Sequence, residues 1–151
     1  MVTKNYEGTE IIFNETLKIT GNEISGIDYL DTRAINMRNK IQTSLVLEIY
    51  NHKGELISDN ESLGTGSKLV FKNNDNDVLV EYNVILYGDA NGDGKINSID
   101  LLTIQRHILK LKTFDGLFLK ASNTLKDGRN PSSLDLLRIQ RHILRLSVLQ
   151  Q

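Results

Sequence analysis

One short segment carries oxygen-bearing side chains at the spacing of a metal-binding loop. Between residues 89 and 100 they stand at the first, third, fifth, ninth and twelfth places, and the seventh offers its backbone carbonyl: Asp89, Asn91, Asp93, Lys95, Asn97 and Asp100. Gly94 stands at the sixth place, where an EF-hand loop bends sharply. Because Ca²⁺ takes about six to eight oxygen ligands, carboxylates and amides at alternate positions can converge on it. The segment is therefore predicted to bind one Ca²⁺ strongly, and the alternative is a metal-free turn rich in Asn, Asp and Gly.

The last residue of this loop connects the metal to a helix. Asp100 opens an amphipathic helix predicted over residues 100–111, with its carboxylate near the positive end of the helix dipole. A second helix is predicted over residues 135–146, and the two match at 10 of 12 positions at a spacing of 35. This match indicates an internal duplication. Because strand-like residues precede the first loop, the repeated unit is one loop and one following helix, over residues 89–111 and 123–146.

The second loop has lost part of the ligand pattern. Counted back from Asp135, its first and third places are Thr124 and Lys126, which are poor calcium ligands. A register shifted by one residue starts at Asn123 and leaves an extra residue near 130–131. The candidate ligands are then Asn123, the backbone carbonyl of Leu125, Asp127 and Asp135. Since calcium affinity depends on the charge and number of ligands, a second site is predicted to be weak or empty.

Residues 1–88 differ from residues 89–151 in charge and in hydrophobic pattern. The first stretch has 13 Asp and Glu against 8 Lys and Arg, and the second has 6 against 10. In the first stretch, apolar runs between turn signals predict strands over residues 11–13, 17–20, 44–50, 55–57, 68–71 and 77–87, and a short helix capped by Asp31-Thr32. We therefore expect an α+β chain in which a β-rich module, an Ig-like sandwich or a small α+β unit, precedes an all-α module.

Composition argues against several classes of function. The chain has no cysteine and therefore no disulfide, thiolate metal site or cysteine nucleophile. No dense basic stripe predicts nucleic-acid binding, and no run of about 18 apolar residues predicts membrane insertion. His107 and His142 recur at the same place of the two helices without a second ligand nearby, which favours a packing or surface role over zinc binding or catalysis. No paired acid and base, nucleophile elbow or phosphate loop indicates an enzyme.

Each helix also has more apolar residues than one core face requires. On a helical wheel of about 100° per residue, Leu102 and Leu109 lie on a flank of the arc that holds Ile104, and Leu137 and Leu144 repeat them. These leucines either broaden the buried face or form an exposed strip for a protein partner.

The two repeats resemble the type I-like dockerin domain of bacterial cellulosome-type assemblies. The resemblance rests on Gly-Asp-Ala-Asn-Gly-Asp-Gly-Lys-Ile-Asn-Ser-Ile-Asp-Leu-Leu at residues 88–102 and on Gln-Arg pairs at the helix centres. It covers residues 89–151, and residues 1–88 resemble the small β-rich X modules that often precede dockerins. It implies partner contacts on both helices: Ser98, Ile99, Gln105, Arg106, Lys110, Ser133, Leu134, Gln140, Arg141 and Arg145.

The same resemblance implies a function outside the bacterial cell. A domain of two calcium loop-helix (F-hand) repeats would dock onto a cohesin domain of a scaffoldin or cell-surface protein. It would anchor a parent protein, such as a glycoside hydrolase used in polysaccharide degradation or another surface protein. Two nearly identical helices could present this surface in either of two orientations. The alternative hypothesis is a calcium-stabilised module that binds carbohydrate or a surface through residues 1–88.

Overall fold

The computed structural model describes residues 1–151 and confirms an α+β chain, with strands in its first part and helices in its second. In chain order the elements are β1 (Val2–Tyr6), β2 (Thr9–Phe13), β3 (Lys18–Thr20), β4 (Glu23–Ser25), α1 (Ala34–Arg38), β5 (Ile41–Thr43), β6 (Val46–Tyr50), β7 (Lys68–Lys72), β8 (Val78–Val84), α2 (Ser98–Ile108), α3 (Gly116–Ser122) and α4 (Ser133–Ile143). None of the helices has the length and hydropathy that crossing a membrane requires.

Two sheets bury their inner faces in one core. The first has the order β1-β2-β5, and the second has the order β3-β4-β8-β7-β6 with β4 and β8 parallel. Phe13 of the first sheet meets the rings of Phe71 and Tyr82 of the second sheet edge-on, with ring centroids 6.3 and 5.3 Å apart. Alternation of apolar and polar residues along these strands places such rings on one face of each sheet.

Several local predictions for this part differ from the structure. Helix α1 begins at Ala34, because the Asp31 side chain accepts a hydrogen bond from the Arg33 N–H before the helix and Arg33 is the N-cap residue. The expected strand over residues 55–57 is reduced to a single bridge between Tyr50 and Leu56. There the Asn51 side chain accepts hydrogen bonds from two backbone N–H groups and takes the place of a strand ladder.

Helices α2 and α4 pack on each other through Ile104 and Ile139, both fully buried. Each helix starts earlier than predicted, because Asn97 and Ser132 cap them through their side chains. Each also ends earlier, at Ile108 and Ile143, since Lys110 and Arg145 adopt left-handed backbone conformations with φ of 58°. Leu111, the last residue of the helix predicted over residues 100–111, lies beyond this helix end and is 74% exposed.

The helical part packs back onto the strand-rich part. Ala121 of α3 lies in a cluster with Ile85 and Tyr87. The side-chain amide of Gln151 donates to the Tyr87 carbonyl, and its oxygen accepts from the Tyr87 N–H. Leu149 is buried with Ile104 and Ile139. The two parts therefore share contacts at α3 and at the end of the helical segment.

We expect Phe13→Ala to lower the free energy of unfolding by about 3–5 kcal/mol, because the removed ring leaves a cavity between the two sheets. Urea denaturation followed by circular dichroism measures the loss. The matched control is Val78→Ala, at a half-exposed strand position, where a change within about 0.5 kcal/mol is expected. Equal losses in the two variants would contradict a shared core centred on Phe13.

Candidate metal centre

The first loop brings three carboxylates together. Ligand atoms of Asp89, Asp93 and Asp100 all lie within 4.8 Å of one another. Asp89 and Asp100 are fully buried, whereas Asp93 is exposed, so the cluster is open to solvent at Asp93. Oxygen donors grouped in this way suit a hard divalent cation.

Backbone N–H groups of the loop hold the Asp89 carboxylate. Gly92 and Gly94 donate to it at 2.8 and 3.1 Å. Both glycines have positive φ, 81° and 78°, a conformation that other residues adopt only with strain. Their conformation turns successive N–H groups toward one carboxylate, which explains the glycines at these two places.

The other predicted ligands line the same loop. Asn91 accepts a hydrogen bond from the Asp93 N–H through its side-chain oxygen. The Asn97 side chain accepts from the Ile99 N–H and caps α2. In return, the Asp100 carboxylate accepts from the Asn97 N–H, which completes a capping box. The Asp100 carboxylate therefore belongs both to the acidic cluster and to the first turn of α2.

Burial makes the charged form of these acids unfavourable. It raises the pKa of Asp89 to about 7, an effect to which the nearby Asp100 carboxylate adds and which the backbone N–H groups oppose. Burial likewise raises the pKa of Asp100 to about 6. A bound cation would compensate the negative charge that the fold has taken out of water. The donor set therefore fits Ca²⁺ at the first loop.

The backbone of the second loop follows the register that starts at Asn123. Lys126 and Gly128 have φ of 57° and 75°, as Gly92 and Gly94 do at the corresponding places of the first loop. The Arg129 N–H donates to Asp127, just as the Lys95 N–H donates to Asp93. The extra residue therefore falls between Arg129 and the cap Ser132, as the shifted register requires.

Hydrogen bonds occupy most of the ligand groups of the second loop. The Asp135 carboxylate accepts from the Thr124 hydroxyl, the Leu125 N–H, and the N–H and hydroxyl of Ser132. Asn123 is buried, and its amide nitrogen donates to the Arg129 carbonyl while its side-chain oxygen has no partner. The side chain at the third place, Leu125, offers no ligand.

Every residue predicted to touch a partner is exposed on α2, on α4 or just beyond their ends. The flank leucines are 46% (Leu102), 59% (Leu109), 48% (Leu137) and 60% (Leu144) exposed. A broad buried face that includes these leucines is therefore the wrong alternative. Ile99 and Leu134 extend the same apolar surface at the helix starts, both more than half exposed. We call the exposed set on the two helices the helix-pair surface: Ser98, Ile99, Leu102, Gln105, Arg106, Leu109, Lys110, Ser133, Leu134, Leu137, Gln140, Arg141, Leu144 and Arg145.

The repeated histidines each accept a backbone hydrogen bond whose donor spacing alone did not identify. The Nδ1 atom of His107 accepts from the Phe114 N–H at 3.1 Å, and that of His142 accepts from the Leu149 N–H at 3.2 Å. In both repeats the donor lies seven residues beyond the histidine, on the chain that turns away from the helix. The sequence held one sign of this contact, since an apolar residue, Phe114 or Leu149, stands seven residues after each histidine.

Residues 87–144 match the family model of the dockerin type I domain. The match includes both loops, α2 and α4, and leaves residues 1–86 outside it. No curated protein and no solved structure matches the chain. Dockerin domains bind calcium and dock onto cohesin domains in cellulosomes. Over these 58 of its 151 residues, the chain is similar to a dockerin type I domain.

Proposed function

We propose that the chain is a non-catalytic adaptor that binds a cohesin domain of a scaffoldin or cell-surface protein when its first loop holds Ca²⁺. The observation that carries this proposal is the helix-pair surface, where two nearly identical helices expose the same apolar and basic residues. Exposed apolar strips edged by polar and basic groups are typical of protein recognition. The dockerin match of residues 87–144 supports the class of partner.

One strong calcium ion belongs to this proposal. Its ligands are the side chains of Asp89, Asn91, Asp93, Asn97 and Asp100 and the backbone carbonyl of Lys95. Residues 89–100 carry three aspartates against one lysine, whereas residues 123–135 carry two aspartates against one lysine and one arginine. The second loop therefore attracts a cation less, and any ion held there by Asn123, Leu125, Asp127 and Asp135 is the weaker one.

Calcium acts on the partner surface through the start of α2. Asp100 is both a ligand candidate and the third residue of the capping box, so an ion that fixes its carboxylate also fixes the first helical turn. That turn carries Ser98, Ile99 and Leu102 of the helix-pair surface. Removing the ion should therefore loosen the α2 half of the helix-pair surface before the α4 half.

The remaining elements of the proposal concern the parent protein. Residues 1–88 act as an X-type module, of Ig-like or other small α+β architecture, in front of two F-hand repeats over residues 89–111 and 123–146. The parent protein, a glycoside hydrolase or another surface protein, works outside the cell or at its surface, where cellulosome components are found. No observation favours carbohydrate binding by residues 1–88.

We expect Asp93→Ala to lower the calcium affinity by more than about tenfold, because an exposed carboxylate ligand is lost without disturbing the core. Calorimetric titration with CaCl₂ measures the affinity and the stoichiometry, which should be close to one ion per chain in the unchanged protein. Asp127→Ala is the matched control, since Asp127 makes the same backbone contact in the second loop, and it should change the affinity by less than about twofold. A larger effect of Asp127→Ala would assign the strong site to the wrong loop.

The helix-pair surface predicts two equivalent modes of docking. The titrant is a type I cohesin, with Ca²⁺ in excess. Arg106→Ala and Arg141→Ala should each change the affinity by less than about threefold, because the helix that keeps its arginine can make the main contact with the cohesin. The double variant should lose more than about thirtyfold in affinity.

Two controls accompany this docking experiment. Arg138→Ala, a half-buried position on α4 outside the surface, should leave the affinity unchanged, and excess chelator should abolish binding by the unchanged protein. A large loss from one single variant alone would contradict two modes, and full binding in chelator would contradict the proposed function.

A further inference from the structure

The strand-rich part of the chain makes a direct contact with the first calcium ligand. The Thr65 N–H donates to the Asp89 carboxylate at 2.9 Å, and both residues are fully buried. Gly64 lies so close that a Cβ atom there would stand 2.3 Å from Asp89 Oδ2 and 2.4 Å from the Gly94 nitrogen. Only glycine therefore allows this segment to approach the loop.

The strand-rich part also contacts the loop at Gly92 and Gly94. The Thr32 hydroxyl donates to the Gly94 carbonyl at 2.8 Å in a buried position. A Cβ atom at Gly94 would stand 2.5 Å from the Leu63 carbonyl oxygen, and one at Gly92 would stand 2.7 Å from the Thr65 carbonyl oxygen. The two loop glycines thus serve close backbone approach as well as positive φ.

The segment that contacts the loop, residues 63–65, is anchored in the core of the first part of the chain. Leu63 is buried in the large hydrophobic cluster, and its N–H donates to the Thr32 carbonyl at 2.9 Å. The Gly64 N–H donates to the Ser67 hydroxyl, and the Thr65 hydroxyl donates to the Leu86 carbonyl. Because the loop is held against these anchored groups, it loses little conformational entropy when an ion binds.

We propose that Gly64, Thr65 and Thr32 are positioning residues for the calcium site, so that residues 1–88 set the calcium affinity of the dockerin loop. The inference rests on the proposed calcium site at Asp89. These residues act through Asp89 and the loop backbone and touch no ion themselves. Calcium ligands must stand within about 2.3–2.6 Å of the ion, so a carboxylate displaced by a new methyl group binds it poorly. Outer partners of metal ligands typically change metal affinity by about 10- to 100-fold.

Gly64→Ala tests this proposal by calorimetric titration of the full chain with CaCl₂. We expect the calcium affinity to fall by about tenfold or more. Gly8→Ala is the matched control: it introduces a side chain at φ +81° in the turn between β1 and β2, where nothing lies within 4 Å, so it strains the strand-rich part without a contact to the loop. It should bind calcium like the unchanged protein. An equal affinity for Gly64→Ala and the unchanged protein would overturn the proposal. An equal loss of affinity in Gly64→Ala and the control would also overturn it, because general destabilisation would then explain the loss.

A second variant covers the case in which Gly64→Ala fails to fold. Thr32→Val keeps the side-chain shape and removes the hydroxyl that holds the Gly94 carbonyl, and we expect a severalfold loss of calcium affinity. By reciprocity, CaCl₂ should raise the urea midpoint at which tyrosine fluorescence of the strand-rich core changes, and by less in Thr32→Val. If Thr32→Val behaves like the unchanged protein in both measurements, the proposal fails. If the unchanged protein binds no calcium at all, the proposed function fails instead.

Discussion

The Asp89 carboxylate is a negative charge that the fold removes from water, and much of the structure is arranged around it. Loop glycines turn their N–H groups toward it from one side, and the Thr65 N–H reaches it from the strand-rich part. Hydrogen bonds reduce the cost of burying such a charge but do not remove it, as its raised pKa of about 7 shows. A bound divalent cation would complete the compensation, and its site would then join both parts of the chain.

The second loop shows what happens when the buried charge is absent from the first place. Asn123 is neutral, and the Thr124 hydroxyl donates to the carboxylate that closes the loop. The α4 cap and the packing of Ile139 are nevertheless the same as in the first repeat. The duplicated helices thus kept their surface residues and their capping boxes while the two loops diverged.

Much of the helical part could be predicted because its signals are local. Ligand spacing in residues 89–100, the repeat of 35 residues and the helical periodicity identified the acidic cluster, α2 and α4, but left open whether the flank leucines are buried or exposed. Sequence could not reveal Gly64 and Thr65 beside Asp89, since nothing in the pattern links segments 24 residues apart. β1 escaped notice because it is mostly polar and exposed, and α3 because its seven residues are too few for a clear period.

Lys110 and Arg145 end the two helices in a conformation that glycine adopts with less strain. A glycine at either place would relax the backbone but delete a cation from the rim of the helix-pair surface. The chain thus keeps a cation at two matching corners of this surface in spite of the backbone strain there. Association with a partner whose surface is acidic would accordingly be fastest in dilute salt and would slow as ionic strength rises, because screening shortens the reach of these cations.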